Sequence, residues 1–223
     1  MSKVTLYYTL LSPPSRTILT VAEAIGLDLE KKNLDLFKGE HLTPEYSKIN
    51  PQRTVPAIVD NGVIIYDSHA IAGYLCDNYA KDDSLYPKDS VQRAHVNARL
   101  HFDTGNLFAH LDYLWYEFFE YGATELPTKI LANIKKCYNT MERFLENGKF
   151  LCGDNLSIAD ISCITSLTSM DTFLPIEEEA YPKLTKWVET MKAFPFYEAN
   201  REGAKLCQDI MWNKFKENQS KKQ

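Results

Sequence analysis

The apolar residues of this chain change their spacing once, near residue 81, and that change limits what the chain can fold into more than any other feature. Ahead of it, short β-branched and aromatic runs alternate with helical patterns. KVTLYY (3–8) reads as a buried strand, and Pro13 and Pro14 suit the first turn of a helix that Gly26 stops. LDLEKKNLDLF predicts a second strand, Thr43 begins a short helix, VPAIVD and VIIYD form a hairpin through Asn61-Gly62, and SHAIAGYLCDNYA is a further helix. The order β-α-β-α-β-β-α fills an α/β domain over residues 1–80. KDDSLYPKD (81–89) has linker composition. Over 90–223 the pattern is helical, at 90–121, 129–146, 157–172, 181–193 and 196–217, so the second domain is all-α. The polar tail KENQSKKQ is expected to fray.

With 223 residues, each half can bury a core of its own. Lys plus Arg number 25 against 30 Asp plus Glu, a net charge of -5 that supplies no basic footprint for nucleic acid. The cysteines at 76, 137, 152, 163 and 207 show neither C-x-x-C nor metal-ligand spacing with the histidines, and read as reduced, mostly buried thiols with no metal. No charged leader with an apolar core opens the chain, and no apolar run reaches the ~18 residues of a membrane span. A soluble, cytoplasmic protein without membrane partners is expected.

LSPPSR (11–16) offers two hydroxyls and a guanidinium at the mouth of the first helix. Alone it is turn punctuation. It stands, however, with three other segments: NPQRTVPAI, DSHAI opening the third helix, and SIADI in the helical half. In combination these resemble the cytosolic glutathione transferases, most closely the insect epsilon class, over nearly the whole length. The resemblance implies a thioredoxin-like first domain, an all-helical second domain, a homodimer, and glutathione as cosubstrate without a metal.

Glutathione is an anionic peptide with a γ-glutamyl zwitterion, an extended backbone and a thiol, and the sequence holds a group for each. Ser68 at a helix start reads as a cap, while the helix amides attract a carboxylate and Asp67 an ammonium; the resemblance gives both residues the γ-glutamyl group. It also implies a cis Val55-Pro56 bond, with the Val55 backbone pairing with the cysteinyl part. At the glycyl end the resemblance points to His41, and Arg53 replaces the histidine of many epsilon relatives; it either grips the carboxylate or faces solvent. His69 reads as structural. A free thiol has pKa ~8.5, and a hydroxyl donor together with a helix N-terminus lowers it. Ser12 is therefore the expected catalytic residue, with Tyr7, Tyr8 and Ser15 as rivals, while Arg16 is expected to brace the helix or a dimer surface. Ser157 and Asp160 have capping-box spacing, with Leu156 as a staple, and carry no chemistry.

LFAHLDYLWYEFF sets Phe108, Leu111, Trp115 and Phe119 on one helical face, which is ordinarily core. The resemblance sets the middle of this helix beside the thiol. The electrophile pocket is then expected from Leu11, Phe37, Phe108, Leu111, Asp112, Trp115, Phe119, Leu206 and Ile210. Asp112, where several relatives carry arginine, either faces that pocket or turns to solvent or a partner subunit. The expected function is conjugation of glutathione to hydrophobic electrophiles. A non-catalytic ligand or steroid binder and a glutathione-dependent hormone-pathway enzyme are the alternatives.

Overall fold

In the computed structural model, which describes residues 3–221, β1 (Thr5–Tyr8) leads through α1 (Pro13–Ile25) to β2 (Glu30–Asn33). A short α2 (Pro44–Ser47), β3 (Ala57–Asp60), β4 (Val63–Tyr66) and α3 (Ser68–Tyr79) complete the first half. The sheet runs β2-β1-β3-β4; β1 is parallel to β2 and antiparallel to β3, which is antiparallel to β4. Asn61 and Gly62 take the β3–β4 hairpin at φ of 48° and 86°, the two positive values that a two-residue turn needs to match strand twist. LDLEKKNLDLF contributes only four strand residues. They are all exposed, and their charges protect a sheet edge from further pairing.

The second half contains α4 (Ser90–Phe102), α5 (Phe108–Phe119), α6 (Thr128–Phe144), α7 (Ile158–Met170), α8 (Pro182–Lys192) and α9 (Glu198–Lys221). The protein is thus a thioredoxin-like α/β unit joined to an all-helical one. The expected continuous helix over 90–121 is interrupted by a π turn at Asp103–Leu107. The reason lies in the spacing of the inward residues Val96, Leu100, Asp103, Leu107, Leu111, Leu114 and Phe118. The consecutive four-residue steps from 103 to 111 outrun a 3.6-residue repeat, and one wider turn absorbs the excess. The tail does not fray as expected: α9 continues to Lys221, and buried Asn218 donates to the carbonyls of Phe118 (2.7 Å) and Ala123 (3.4 Å). Residues 222 and 223 lie outside the described residues.

Residues 80–89 carry neither helix nor strand, and side chains pin them. Arg93 stacks over the Tyr86 ring at 4.0 Å and donates to the carbonyls of Pro87 and Tyr86, while Ile158 N donates to Leu85 O. In the first half Leu6, Ile18, Val21, Ile58, Ile71 and Leu75 form a core without solvent contact, each fully buried aliphatic side chain contributing ~1.5–3 kcal/mol. α1 packs on α3 in its own half and on α7 and α9 in the other.

All of α7 is buried. Its start is the expected capping box, with Asp160 accepting from Ser157 N (3.0 Å) and Ser157 Oγ (2.9 Å). The same carboxylate also accepts from Leu151 N (2.8 Å) and Trp187 Nε1 (3.0 Å), which ties the preceding loop and α8 to the cap. Asp160→Ala would leave four donors buried and unpaired, with an expected loss of about 3 kcal/mol or more, against about 1 kcal/mol for Ser157→Ala. Urea unfolding midpoints measure both, and equal small losses would show that Asp160 does no more than cap.

Candidate functional site

The strand register decides where the loops leave the sheet. Tyr7 pairs with Ala57, Ala57 with Tyr66, and Tyr8 with Asn33. The end of β1, the end of β2, the start of β3 and the end of β4 therefore lie along one edge. From that edge emerge the Leu11-Ser12 turn, the loop bearing Phe37 and His41, the Arg53 to Pro56 segment, and Asp67-Ser68. One end of the sheet gathers the expected glutathione residues from four separate connections.

Ser12 is half-buried at the N-cap of α1, and its Oγ accepts from Ser15 N (3.3 Å). Pro13 and Pro14 bring no N–H, and Arg16 N is already bonded to Ser12 O (3.0 Å). The backbone of this first turn therefore has no amide to offer an anion. What remains is the Ser12 O–H, since a hydroxyl that accepts a cap bond still has its proton to donate. Ser15 accepts from Thr9 N (3.5 Å), and its full burial, unlike half-buried Ser12, corrects its standing as a rival. The Tyr7 ring lies against Tyr46, with the Lys32 ammonium 5.3 Å above it, and Tyr8 packs on the core. Arg16 does not reach a dimer surface either; it is wholly internal.

At α3 the cap is Asp67, not Ser68. Asp67 Oδ1 accepts from His69 N (2.9 Å) and Ala70 N (3.1 Å), and Ser68 is the first helical residue, buried at the same corner. Asp67 holds φ at 74°, a left-handed value that costs a non-glycine residue about 1 kcal/mol or more. His69 is structural, as expected. Its Nε2 meets Ser162 Oγ at 2.7 Å and its Nδ1 meets Thr104 Oγ1 at 3.1 Å. Because Ser162 donates to Asp103 Oδ2, it receives from His69 Nε2–H, and Nε2 itself lies 3.4 Å from the same carboxylate oxygen. The start of α3 is thereby bolted to α7 and to the π turn.

The Val55-Pro56 bond is cis. The segment before it is held by residues that the motifs did not single out. Asn50, fully buried, donates to Thr54 O (2.8 Å) and Thr54 Oγ1 (3.1 Å) and accepts from Gln52 N, and Tyr46 Oη donates to Thr54 O (2.7 Å). Arg53 stands exposed at φ 57°, and His41 is half-buried with an Nδ1 that none of the described residues bonds. The buried Asn50, three residues before Arg53 in NPQR, was the available sequence signal for this brace.

The expected pocket row is split by the phase of α5. Leu111 joins Leu107, Leu114 and Phe118 in the core, whereas Phe108, Asp112, Trp115 and Phe119 form a neighbouring half-buried row. Trp115 and Phe119 stack at 4.1 Å, and Phe37 reaches both from the first half at 6.2 Å. Leu11 and Ile210 are half-buried and Leu206 is exposed, the last two on α9, which packs on α5. Burial raises the Asp112 carboxyl above the ordinary range.

Family models described as the N-terminal and C-terminal domains of glutathione S-transferase match residues 6–83 and 108–195. Glutathione S-transferase 1 of Manduca sexta is 40% identical over 215 residues, 95% of this chain and 99% of that protein. An epsilon-class glutathione S-transferase from the housefly, Musca domestica, superposes with a TM-score of 0.93 at 42% identity, covering 95% of this chain and 98% of that one. A glutathione transferase homologue from Drosophila mojavensis, solved with bound glutathione, gives 0.93 at 38% identity, covering 96% and 98%.

A raised carboxyl has a signed consequence. Asp112 holds its proton more tightly folded than unfolded, so its contribution to stability falls as pH rises through the window from the ordinary aspartate pKa to the raised one. Above that window Asp112→Asn should be more stable than the parent, and below it the two should converge. Thermal midpoints across pH would show this, and a constant difference would mean that the carboxyl titrates normally.

Proposed function

The chain belongs to the glutathione S-transferase family, and from that premise we propose that Ser12 is the residue that activates the glutathione thiol for attack on hydrophobic electrophiles. The observation that carries this reading is the Ser12 hydroxyl, a donor at the N-terminus of a helix whose first two residues have no N–H. A thiol of pKa ~8.5 is only slightly ionised at neutral pH, and the O–H stabilises the thiolate by hydrogen-bonding sulfur. The thiol proton passes to solvent, and sulfur forms its bond to an electrophilic carbon, which either expels a leaving group with the bonding pair or, in an addition, passes a pair to a neighbouring atom that takes up a proton. The protein does not itself become a nucleophile. Holding both reactants in one cleft supplies much of the remaining acceleration.

In this reading the zwitterion lies at Asp67 and Ser68, the cysteinyl backbone along Val55 ahead of Pro56, and the glycyl carboxylate near His41 and Arg53. The Asp67 carboxylate and the exposed Arg53 guanidinium suit those charges. The aromatic row of Phe108, Trp115 and Phe119 with Phe37, alongside Leu11, Leu206 and Ile210, is the proposed electrophile wall, with Leu111 behind it. A homodimer, supported by exposed Val63, Ile64 and Val91, and a cytoplasmic location belong to the same proposal. Among the described residues no helix is long and apolar enough to cross a membrane.

A second reading, selective binding of hydroxylated hydrophobes such as steroids, draws on Asp112, a half-buried carboxylate in the aromatic row that would prefer a hydroxyl donor. Asp112→Asn should then reduce the preference for a hydroxylated ligand over its deoxy analogue by about tenfold, a charged hydrogen bond contributing ~1.5–3 kcal/mol. Equal affinities before and after would remove Asp112 from recognition.

Ser12→Ala should lower kcat with a halonitroarene by about a hundredfold, ~2–3 kcal/mol, while the protein is still retained on immobilised glutathione. An unchanged rate and pH profile would move the role to Tyr7 or Tyr8. Retention of glutathione with no conjugation of any electrophile by the parent would favour the binder.

A further inference from the structure

Arg16 has no exposed surface, and its guanidinium grips two halves of the protein at once. Nη1 donates to the carbonyls of Leu10 (2.7 Å) and Leu11 (3.1 Å), the two residues that precede Ser12. On the other side Nε donates to Asn200 Oδ1 on α9 (2.8 Å), and Nη2 to Thr165 O (3.3 Å) and Ser169 Oγ on α7. None of these five acceptors is a carboxylate. Burial lowers the guanidinium pKa to about 10, which leaves it cationic at neutral pH. α9 passes this point closely at Gly203, where an added Cβ would stand 2.6 Å from Leu10 O and strike the Arg16 side chain.

A residue needed only to glue α1 to α7 and α9 would be better apolar, because burying a cation costs several kcal/mol that a hydrophobe avoids. What a guanidinium adds is a rigid fork of donors in fixed directions. Here that fork holds two carbonyls of the turn that aims Ser12, a turn otherwise closed by Ser12 N to Thr9 O (3.2 Å) and Thr9 N to Ser15 Oγ (3.5 Å).

We propose that Arg16 is a positioning residue for the reaction: through the Leu10 and Leu11 carbonyls it sets where the Ser12 hydroxyl stands, with α7 and α9 as its frame. The thiol chemistry at the end of the sheet is then referenced to helices of the other half. The proposal rests on the assignment of Ser12 as thiol donor.

The test titrates the thiolate of bound glutathione by its ultraviolet absorbance, alongside kcat and KM, in the parent, Ser12→Ala, Arg16→Lys, Gly203→Ala and the double variant Ser12→Ala/Gly203→Ala. Arg16→Lys keeps the charge and loses the fork; Gly203→Ala keeps Arg16 and displaces what it holds. Both should raise the bound thiol's pKa and lower kcat by about tenfold or more, as expected when a reacting group is misplaced by a fraction of an ångström to ~1 Å, with KM for glutathione moving less. With alanine at position 12, Gly203→Ala should add no further pKa shift. Folded single variants with parental thiol pKa and kcat, changed only in melting temperature, would overturn the proposal. So would a Gly203→Ala shift equally large with and without Ser12. If Ser12→Ala itself shifts nothing, the Ser12 assignment fails on that result alone and Arg16 has nothing to position. Should Arg16→Lys not fold, Asn200→Ala, which removes one acceptor at the far end of the fork, replaces it under the same criteria.

Discussion

Because every residue of α7 is buried, its polar side chains need partners inside the protein, and those of Ser162, Thr165 and Ser169 join it to the first half. Thr168 and Ser169 hydroxyls turn back to carbonyls one turn earlier, while Thr17 Oγ1 from α1 meets Thr165 Oγ1 at 2.8 Å. Ser162 takes His69 from α3, and the Arg16 fork arrives from α1. An apolar α7 of the same volume could pack equally well, but it would take Ser169 Oγ from Arg16, Thr165 Oγ1 from Thr17 and Ser162 Oγ from His69. The helical half thus reaches, through polar contacts, the two helices of the first half whose N-termini face the site.

The sheet fixes the site in a different way. Pairing of Tyr7 with Ala57 and of Ala57 with Tyr66 obliges four connections to leave at one edge, whatever their sequences. Three of these connections carry a brace of their own: Asn50 and Tyr46 hold Thr54, Asp67 caps α3, and Ser12 caps α1. Ser12 and Asp67, both proposed to meet glutathione, are therefore holding backbone already. A capping oxygen acts as acceptor in that task, which leaves a serine proton free and makes structural and chemical roles compatible in one residue.

The proposed electrophile wall follows the phase of one helix. The π turn at Asp103–Leu107 resets α5, so that Leu111 is committed to the core and the aromatic row lies beside it with Asp112 in its midst. Phe37 crosses from the first half to touch Trp115 and Phe119, so this wall too is built from both halves.

Local chemistry was enough to reveal much of this from the sequence: the alternation of strand and helix patterns up to about residue 80, the Asn61-Gly62 hairpin, the prolines that open α1, and the Ser157 to Asp160 capping box all depend on residues within a few positions of one another. The segments around Ser12, Val55-Pro56 and Asp67-Ser68 were legible differently, through their combined resemblance to the glutathione transferases. Sequence spacing could not supply contacts between distant residues. That Arg16 turns inward, that the 90–121 helix changes phase and that Asn218 anchors the tail to Phe118 were decided only when α7, α9 and the π turn closed on the sheet. The orientation of each of these side chains depends on which acceptors burial leaves available to it, and those acceptors belong largely to elements far along the chain.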